Sequence, residues 1–252
     1  MPRNARMKSE SGIYHIMVRG INRQNIFTDT ADRYKFLDIV QQCKAKCGYS
    51  LFAYCLMDNH VHLVLKEGEE PLEGLMKRIG VSYVSWYNGK HNRIGHLFQD
   101  RYKSEVIEDD RYMLEVIRYV HQNPVKAGIT AEPGSYPWSS YTEYLGAAHI
   151  TDTAFILGML ALDDRQAKKL FVDYMGENGR HATALAETVR LTDAAAREII
   201  KHLLGDFSTD ELAAMDKEKR NALLGKLKGV AGLSIRQIAR LTGLTFNIVA
   251  KA

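Results

Sequence analysis

Two histidines separated by one apolar residue, His60-Val61-His62, are the side chains whose types and spacing in this chain most readily support chemistry. They stand in the run Asp58-Asn59-His60-Val61-His62-Leu63-Val64-Leu65, which reads as a buried strand leaving a turn. Successive side chains on a strand point to opposite faces, so residues two apart share one. His60 and His62 therefore project side by side, while Val61, Leu63 and Leu65 pack on the other face. Neutral imidazole is a common metal ligand, and such a pair makes half of a coordination shell. Spacing alone leaves a plainer alternative open, in which these are two half-buried polar residues at the mouth of a hairpin.

A later helix carries groups that could complete such a site. From Asp110 to Asn123, residues Met113, Val116, Ile117 and Val120 recur at helical spacing and form a core stripe. Tyr112, Tyr119 and Asn123 lie along one shoulder of it, with Tyr119 and Asn123 one i,i+4 step apart. The bland reading is an amphipathic rim tyrosine and a helix-end asparagine. The chemical reading starts from the phenol, a poor nucleophile at neutral pH because its pKa lies near about 10. A divalent cation held by the histidine pair could polarise a scissile phosphate and neutralise its developing charge. The tyrosine oxygen could then displace a 3′ oxygen and keep the 5′ phosphate. Asn123 could give that cation an amide oxygen, and two imidazoles with hard oxygen ligands suit magnesium or manganese.

Periodicity and turn signals supply the supporting elements. A strand is expected over residues 12–19, then a polar loop over 20–27. A helix capped at Asp29 or Thr30 follows, with Phe36, Leu37, Val40 and Cys43 on its apolar side and Gly48 as its stop. A second strand over 49–57, the turn Asp58-Asn59 and a third strand over 60–66 make a hairpin. Pro71 opens a helix whose stripe is Leu72, Leu75, Met76, Ile79, Tyr83 and Trp86. A fourth strand is expected over 101–107, and Pro124 is expected to end the helix that starts at Asp109-Asp110. This is an α+β layout around a mainly antiparallel sheet. Tyr136-Pro137-Trp138-Ser139-Ser140-Tyr141 reads as an aromatic loop packing back on the sheet domain. From about Thr151 only helical periodicity is visible: around Leu170, Tyr174 and Met175, over 184–189, and over 192–204 with Thr192 or Asp193 as cap. The expected division is a domain over 1–150 and an all-α domain over 151–252. The end of the chain has helix-turn-helix form, with Ser234 as cap, Ala239 at the crossing, Gly243 at the turn and Ile248-Val249 as anchors; a helical-bundle corner would look the same.

Composition sets outer bounds. The chain of 252 residues is long enough for two cores, and a formal net charge of +4 permits a nucleic-acid partner without demanding one. No apolar run approaches the roughly 18 residues of a membrane span, and the start lacks the apolar segment of a signal peptide, so no membrane partner is expected. Cys43, Cys47 and Cys55 form no C-x-x-C pair and fit core packing in a reducing cytoplasm.

His60-Val61-His62 resembles the histidine-hydrophobic-histidine motif of the HUH single-strand endonucleases. Tyr119-Val120-His121-Gln122-Asn123-Pro124-Val125-Lys126-Ala127-Gly128 resembles the single-tyrosine transposase helix. The strand over 12–19, Gly95-His96-Leu97-Phe98-Gln99-Asp100-Arg101 and Trp138-Ser139-Ser140-Tyr141 are most similar to the branch of REP-associated tyrosine transposases. The resemblance spans roughly residues 8–146. It implies a ferredoxin-like HUH domain, Tyr119 as nucleophile, and a divalent metal ion (Mg2+ or Mn2+) held by His60, His62 and Asn123. Related insertion-sequence transposases carry glutamine at the last position, one methylene longer. The pattern includes His15, although core or sheet-surface packing is the simpler reading of that residue.

The implied activity is a transposase that nicks and joins single-stranded hairpin DNA through a 5′-phosphotyrosine. A non-catalytic DNA-binding regulator and a replication-initiator-type nicking enzyme are the alternatives. Arg3, Arg6, Lys8, Arg19, Arg23, Lys90, Arg93, Arg101 and Lys103 are candidates for phosphate contacts, with Tyr83 and Tyr87 for base stacking. In the C-terminal segment Arg236, Arg240, Asn247 and Lys251 occupy polar positions. A homodimer is compatible with this reading, in which Tyr119 would serve its own subunit or a partner's.

Overall fold

The computed structural model describes residues 7–177, 193–204, 211, 215–230, 233 and 235–251. Arg3, Arg6, the expected helix over 184–189, and the caps Thr192 and Ser234 lie outside these residues, as does the Lys251 side chain. Four strands, β1 (Ile13–Arg19), β2 (Ser50–Met57), β3 (His60–Lys66) and β4 (Lys103–Val106), form one sheet in the order β2-β3-β1-β4. Every neighbouring pair is antiparallel. The Asp58-Asn59 turn makes β2 and β3 neighbours, whereas β1 reaches the centre because the helix after it carries the chain across the sheet.

That helix, α1 (Thr30–Cys47), begins in a reciprocal capping box between Asp29 and Asp32 and ends at Gly48, whose φ of 64° only glycine adopts freely. It lies with α2 (Leu72–Lys90) on one face of the sheet. There Phe36, Val40, Leu75, Ile79 and Tyr83 bury against Ile16, Leu56, Leu63 and Leu65. The opposite face receives α3 (Asp110–Lys126), through Met113, Val116, Ile117, Tyr119 and Val120. The strands alternate as expected: Tyr14, Ile16, Val61 and Leu63 face α1 and α2, while Ile13 and Val64 face α3.

Pro124 does not stop α3. Its ring removes one N–H, but the helix runs two residues further, to Lys126, and the chain turns at Gly128 with φ 69°. The aromatic loop covers the exposed edge of β2: Leu56 N–H donates to Trp138 O at 2.8 Å, and Tyr136 Oη donates to Leu56 O at 2.7 Å. Covering an edge in this way satisfies backbone groups that would otherwise pair with another chain.

The chain divides into two compact units, residues 1–186 and 187–252. The helices α4 (Thr153–Leu160) and α5 (Asp164–Gly176), read from sequence as part of the C-terminal region, belong to the first unit. Ile156, Leu157, Phe171 and Met175 bury in the same cluster as α3. In the second unit, α6 (Asp193–Leu204), α7 (Lys217–Lys228), α8 (Ile235–Thr242) and α9 (Phe246–Lys251) surround Ala196, Ile200, Leu224, Leu227, Ile238 and Val249. Gly243, at φ 69°, turns the chain between α8 and α9. No described helix is long and apolar enough to cross a membrane.

Candidate active site

His60 and His62 sit on the α3-facing side of β3. The register sets His60 between Arg19 of β1 and Met57 of β2, and His62 between Met17 and Cys55. Their ring centroids are 5.0 Å apart, and the His62 ring meets that of Tyr119 edge-on at 5.4 Å. Asn123, one turn on, donates from Nδ2 to Tyr119 O at 2.9 Å, and its side chain also hydrogen-bonds His60 and Tyr119. Residues far apart in sequence thus meet on one face because α3 lies flat across β1 and β3. The same packing buries Tyr119 to 3% exposure, deeper than a helix shoulder implies.

The turn before His60 is braced from two sides. Ile26 N–H and Phe27 N–H donate to Asp58 O, and Gly20 N–H donates to Asn59 O. Asn59 Nδ2 donates to Arg23 O at 3.2 Å, which turns its amide oxygen towards His60. His60 Nδ1 is 2.6 Å from that oxygen and must be its donor, so the lone pair of the ring lies on Nε2. Arg23 pays with a left-handed backbone at φ 60°.

Burial sets the electrostatics. Desolvation, with a smaller contribution from the Arg19 charge, pushes His60 down to about 3. His62 is likewise held well below the ordinary histidine value by burial and by His15, His60 and Arg19. Both imidazoles are therefore neutral and keep a lone pair available. Burial pushes Tyr119 up to about 12, with Asn123 and Arg19 acting in the opposite direction. Among the described residues no group of three or more His, Cys, Asp and Glu side chains could hold a metal. The donor set that fits a divalent cation is instead two imidazoles and an amide. The buried Nε2 of His62, with no hydrogen-bond partner among the described residues, is the atom such an ion would satisfy.

The surrounding cations divide by placement. Arg19 lies on this face, opposite His60, and Lys103 shares the face, exposed opposite Met17. Lys8, Arg23 and Arg101 are exposed. Arg93 is half-buried, bonded to Gln24 Oε1 at 3.1 Å and stacked on Tyr87. Lys90 is tied to Asp29 and Asp32 at 2.7 Å. The stacking role suggested for Tyr83 and Tyr87 is not available, because both lie on the buried face of α2, packed into the core with α1 and the sheet; Tyr83 Oη donates to Ile26 O at 2.6 Å. A helical stripe signals burial, and here the buried side is the core. In the second unit Arg236 and Asn247 are exposed, while Arg240 is paired with Asp193.

Two neighbours of the site were not selected from sequence. His15 of β1 lies 2.9 Å from His62, and Glu105 of β4 lies beside His15. Alternation marks His15 as facing the same way as Met17; that its ring reaches His62 depends on the diagonal between β1 and β3.

A split β-α-β sheet with a histidine pair under a tyrosine-bearing helix defines a domain class, and residues 8–123 match the family model described as "Transposase IS200 like". That span reaches from the residues before β1 to Asn123, and over it the chain is similar to the IS200-like transposases. Among solved structures it is similar to a REP-associated tyrosine transposase bound to a REP hairpin, at TM-score 0.50 and 17% identity, over 60% of this chain and 94% of that one. A candidate transposase from Deinococcus radiodurans aligns at TM-score 0.34 and 17% identity, over 48% of this chain and 97% of that one. No curated protein matches the chain in sequence.

Proposed function

We propose that the chain is a metal-dependent DNA strand transferase in which Tyr119 attacks a backbone phosphate of single-stranded DNA beside a hairpin. The phenolic oxygen forms a bond to phosphorus, the P–O3′ bond breaks, and the 5′ phosphate stays on Tyr119. The proton lost by the phenol balances the one gained by the departing 3′ oxygen. A later attack by a 3′-hydroxyl on the phosphotyrosine rejoins the strand. The observation that carries this reading is the meeting of His60 and His62 with Tyr119 and Asn123 on one sheet face, within a span that matches the IS200-like transposase model.

His60, His62 and Asn123 would hold a magnesium or manganese ion, which when bound supplies Lewis-acid polarisation of the phosphate. The residues themselves do the positioning. Asn59 orients His60, and Asn123 hydrogen-bonds the Tyr119 hydroxyl. Arg19 is a cation that can offset charge on phenolate and phosphate. Lys103, Lys8, Arg23 and Arg101 supply strand contacts. A Tyr119 exposed by only 3% also requires the cleft to open as DNA enters. Hairpin DNA is preferred as substrate because the similar structure was bound to one. Arg236 and Asn247 are proposed as duplex contacts of the α8–α9 pair.

Incubating the protein with end-labelled hairpin DNA and manganese tests the reading. It predicts an adduct that survives denaturation, is absent in Tyr119→Phe, and is lost with His62→Ala. Wild-type protein that binds the hairpin yet never forms the adduct would mark it instead as a non-catalytic regulator.

A further inference from the structure

The polar chain behind His62 has a direction. Tyr112 Oη on α3 donates to Glu105 Oε1 on β4. The other carboxylate oxygen, Oε2, lies 3.5 Å from His15 Nδ1 on β1. His15 Nε2 lies 2.9 Å from His62 Nδ1 on β3, and the two rings stack with centroids 5.1 Å apart. His15 and His62 are both fully buried.

Two arrangements of protons are available. A carboxylate oxygen only accepts, so a lone pair on His15 Nδ1 would face like charge density, whereas an N–H there is attracted. With that proton on Nδ1, a neutral His15 has its lone pair on Nε2, and only a proton on His62 Nδ1 can complete the 2.9 Å hydrogen bond. His62 Nε2 is then the lone pair. The reverse arrangement would set His15 Nδ1 against Glu105 and bury a His62 Nε2–H that has no acceptor among the described residues. Both ends of the chain therefore favour the same order.

We propose that His15 and Glu105 are positioning residues that fix the tautomer of His62, holding its proton on Nδ1 and presenting Nε2 as a ready donor to a divalent cation. Asn59 does the same for His60 through its own Nδ1. The pair is thereby preorganised from two sides, by a turn amide and by a relay across three strands. Partners of this kind typically change metal affinity by about 10–100-fold when removed. The proposal rests on the reading of His60 and His62 as ligands, but its first test needs neither DNA nor metal.

Long-range proton–nitrogen NMR on metal-free, imidazole-labelled protein reads the tautomer directly. Wild type should show His62 as the Nδ1–H form. His15→Leu removes the acceptor and should abolish that single form, while His15→Gln, whose amide oxygen can accept the same proton, should restore it. Glu105→Ala, a half-buried position outside the core, should also mix the tautomers and guards against a folding defect in His15→Leu. Manganese affinity, followed by electron paramagnetic resonance, should fall about 10–100-fold in His15→Leu and Glu105→Ala and stay near wild type in His15→Gln. A proton on His62 Nε2 in wild type, or a tautomer unmoved by both His15→Leu and Glu105→Ala, overturns the relay. A shifted tautomer with unchanged manganese affinity overturns its link to the metal. Correct tautomers and metal binding without adduct formation leave the relay standing and count against the strand-transfer reading.

Discussion

The ionisation of Tyr119 can be isolated by comparing wild type with Tyr119→Phe. Burial holds this phenol at about 12 rather than about 10. Each pKa unit is worth about 1.4 kcal/mol, so forming the phenolate in the closed site costs about 3 kcal/mol more than in solvent. Because the folded state holds this proton more tightly than the unfolded chain, that contribution to stability is complete below about pH 10. It drains away as the pH climbs towards about 12. Absorbance near the phenolate band, read as wild type minus Tyr119→Phe, isolates one of 13 tyrosines. At pH 10 an ordinary tyrosine is about half ionised, whereas Tyr119 should be only about 1% ionised. A difference spectrum already half developed at pH 10 would refute the burial argument and with it the need for the cleft to open.

Other consequences concern the frame around the site. His121 is buried, neutral and pushed down to about 3, so its contribution is whole above pH 6.5 and is lost as the pH falls towards 3. Between pH 6.5 and 5 that is about 2 kcal/mol, and urea unfolding of His121→Gln should show a correspondingly shallower acid limb. Ser140 Oγ accepts from Tyr54 N–H at 2.9 Å and donates to Tyr54 O, which makes His121 Nε2 a second donor to it at 2.8 Å. Ser140→Ala orphans both buried donors and should cost about 3 kcal/mol in a denaturant titration; a loss below about 1 kcal/mol would contradict this. A Cβ on Gly68 would stand 2.4 Å from Cys47 O, so Gly68→Ala should lower the melting temperature by several degrees, seen by calorimetry.

Legibility from sequence followed the range of the interaction involved. The span of β3 was readable to the residue, because alternation, a two-residue turn and a charged stop all act locally. Gly48 was readable as the stop of α1 for the same reason, and its start to within one residue, with Asp29 rather than Thr30 as the cap. The motif order also pointed to Tyr119 and Asn123 as companions of the histidine pair, and α3 brings both beside it. Partners were less visible. The periodicity of α5 announces a buried face but not that Phe171 packs with Tyr144 beside α3. Tyr83 and Tyr87 share a stripe with Leu75 and Ile79, and nothing in that stripe distinguishes core from a nucleic-acid groove. Pro124 misled because a proline in the last turn removes a single hydrogen bond, which packing outweighs. The contact of His15 with His62 depends on a cross-strand diagonal, a quantity fixed only when β1 and β3 pair.

The most direct test of the central claim is mass spectrometry of trypsin-digested protein–DNA adduct. Cleavage after Arg118 and Lys126 yields a peptide in which Tyr119 is the single tyrosine. The account predicts a nucleotide joined through its 5′ phosphate to that peptide and to no other. An adduct on another residue, or a 3′ linkage, would contradict it.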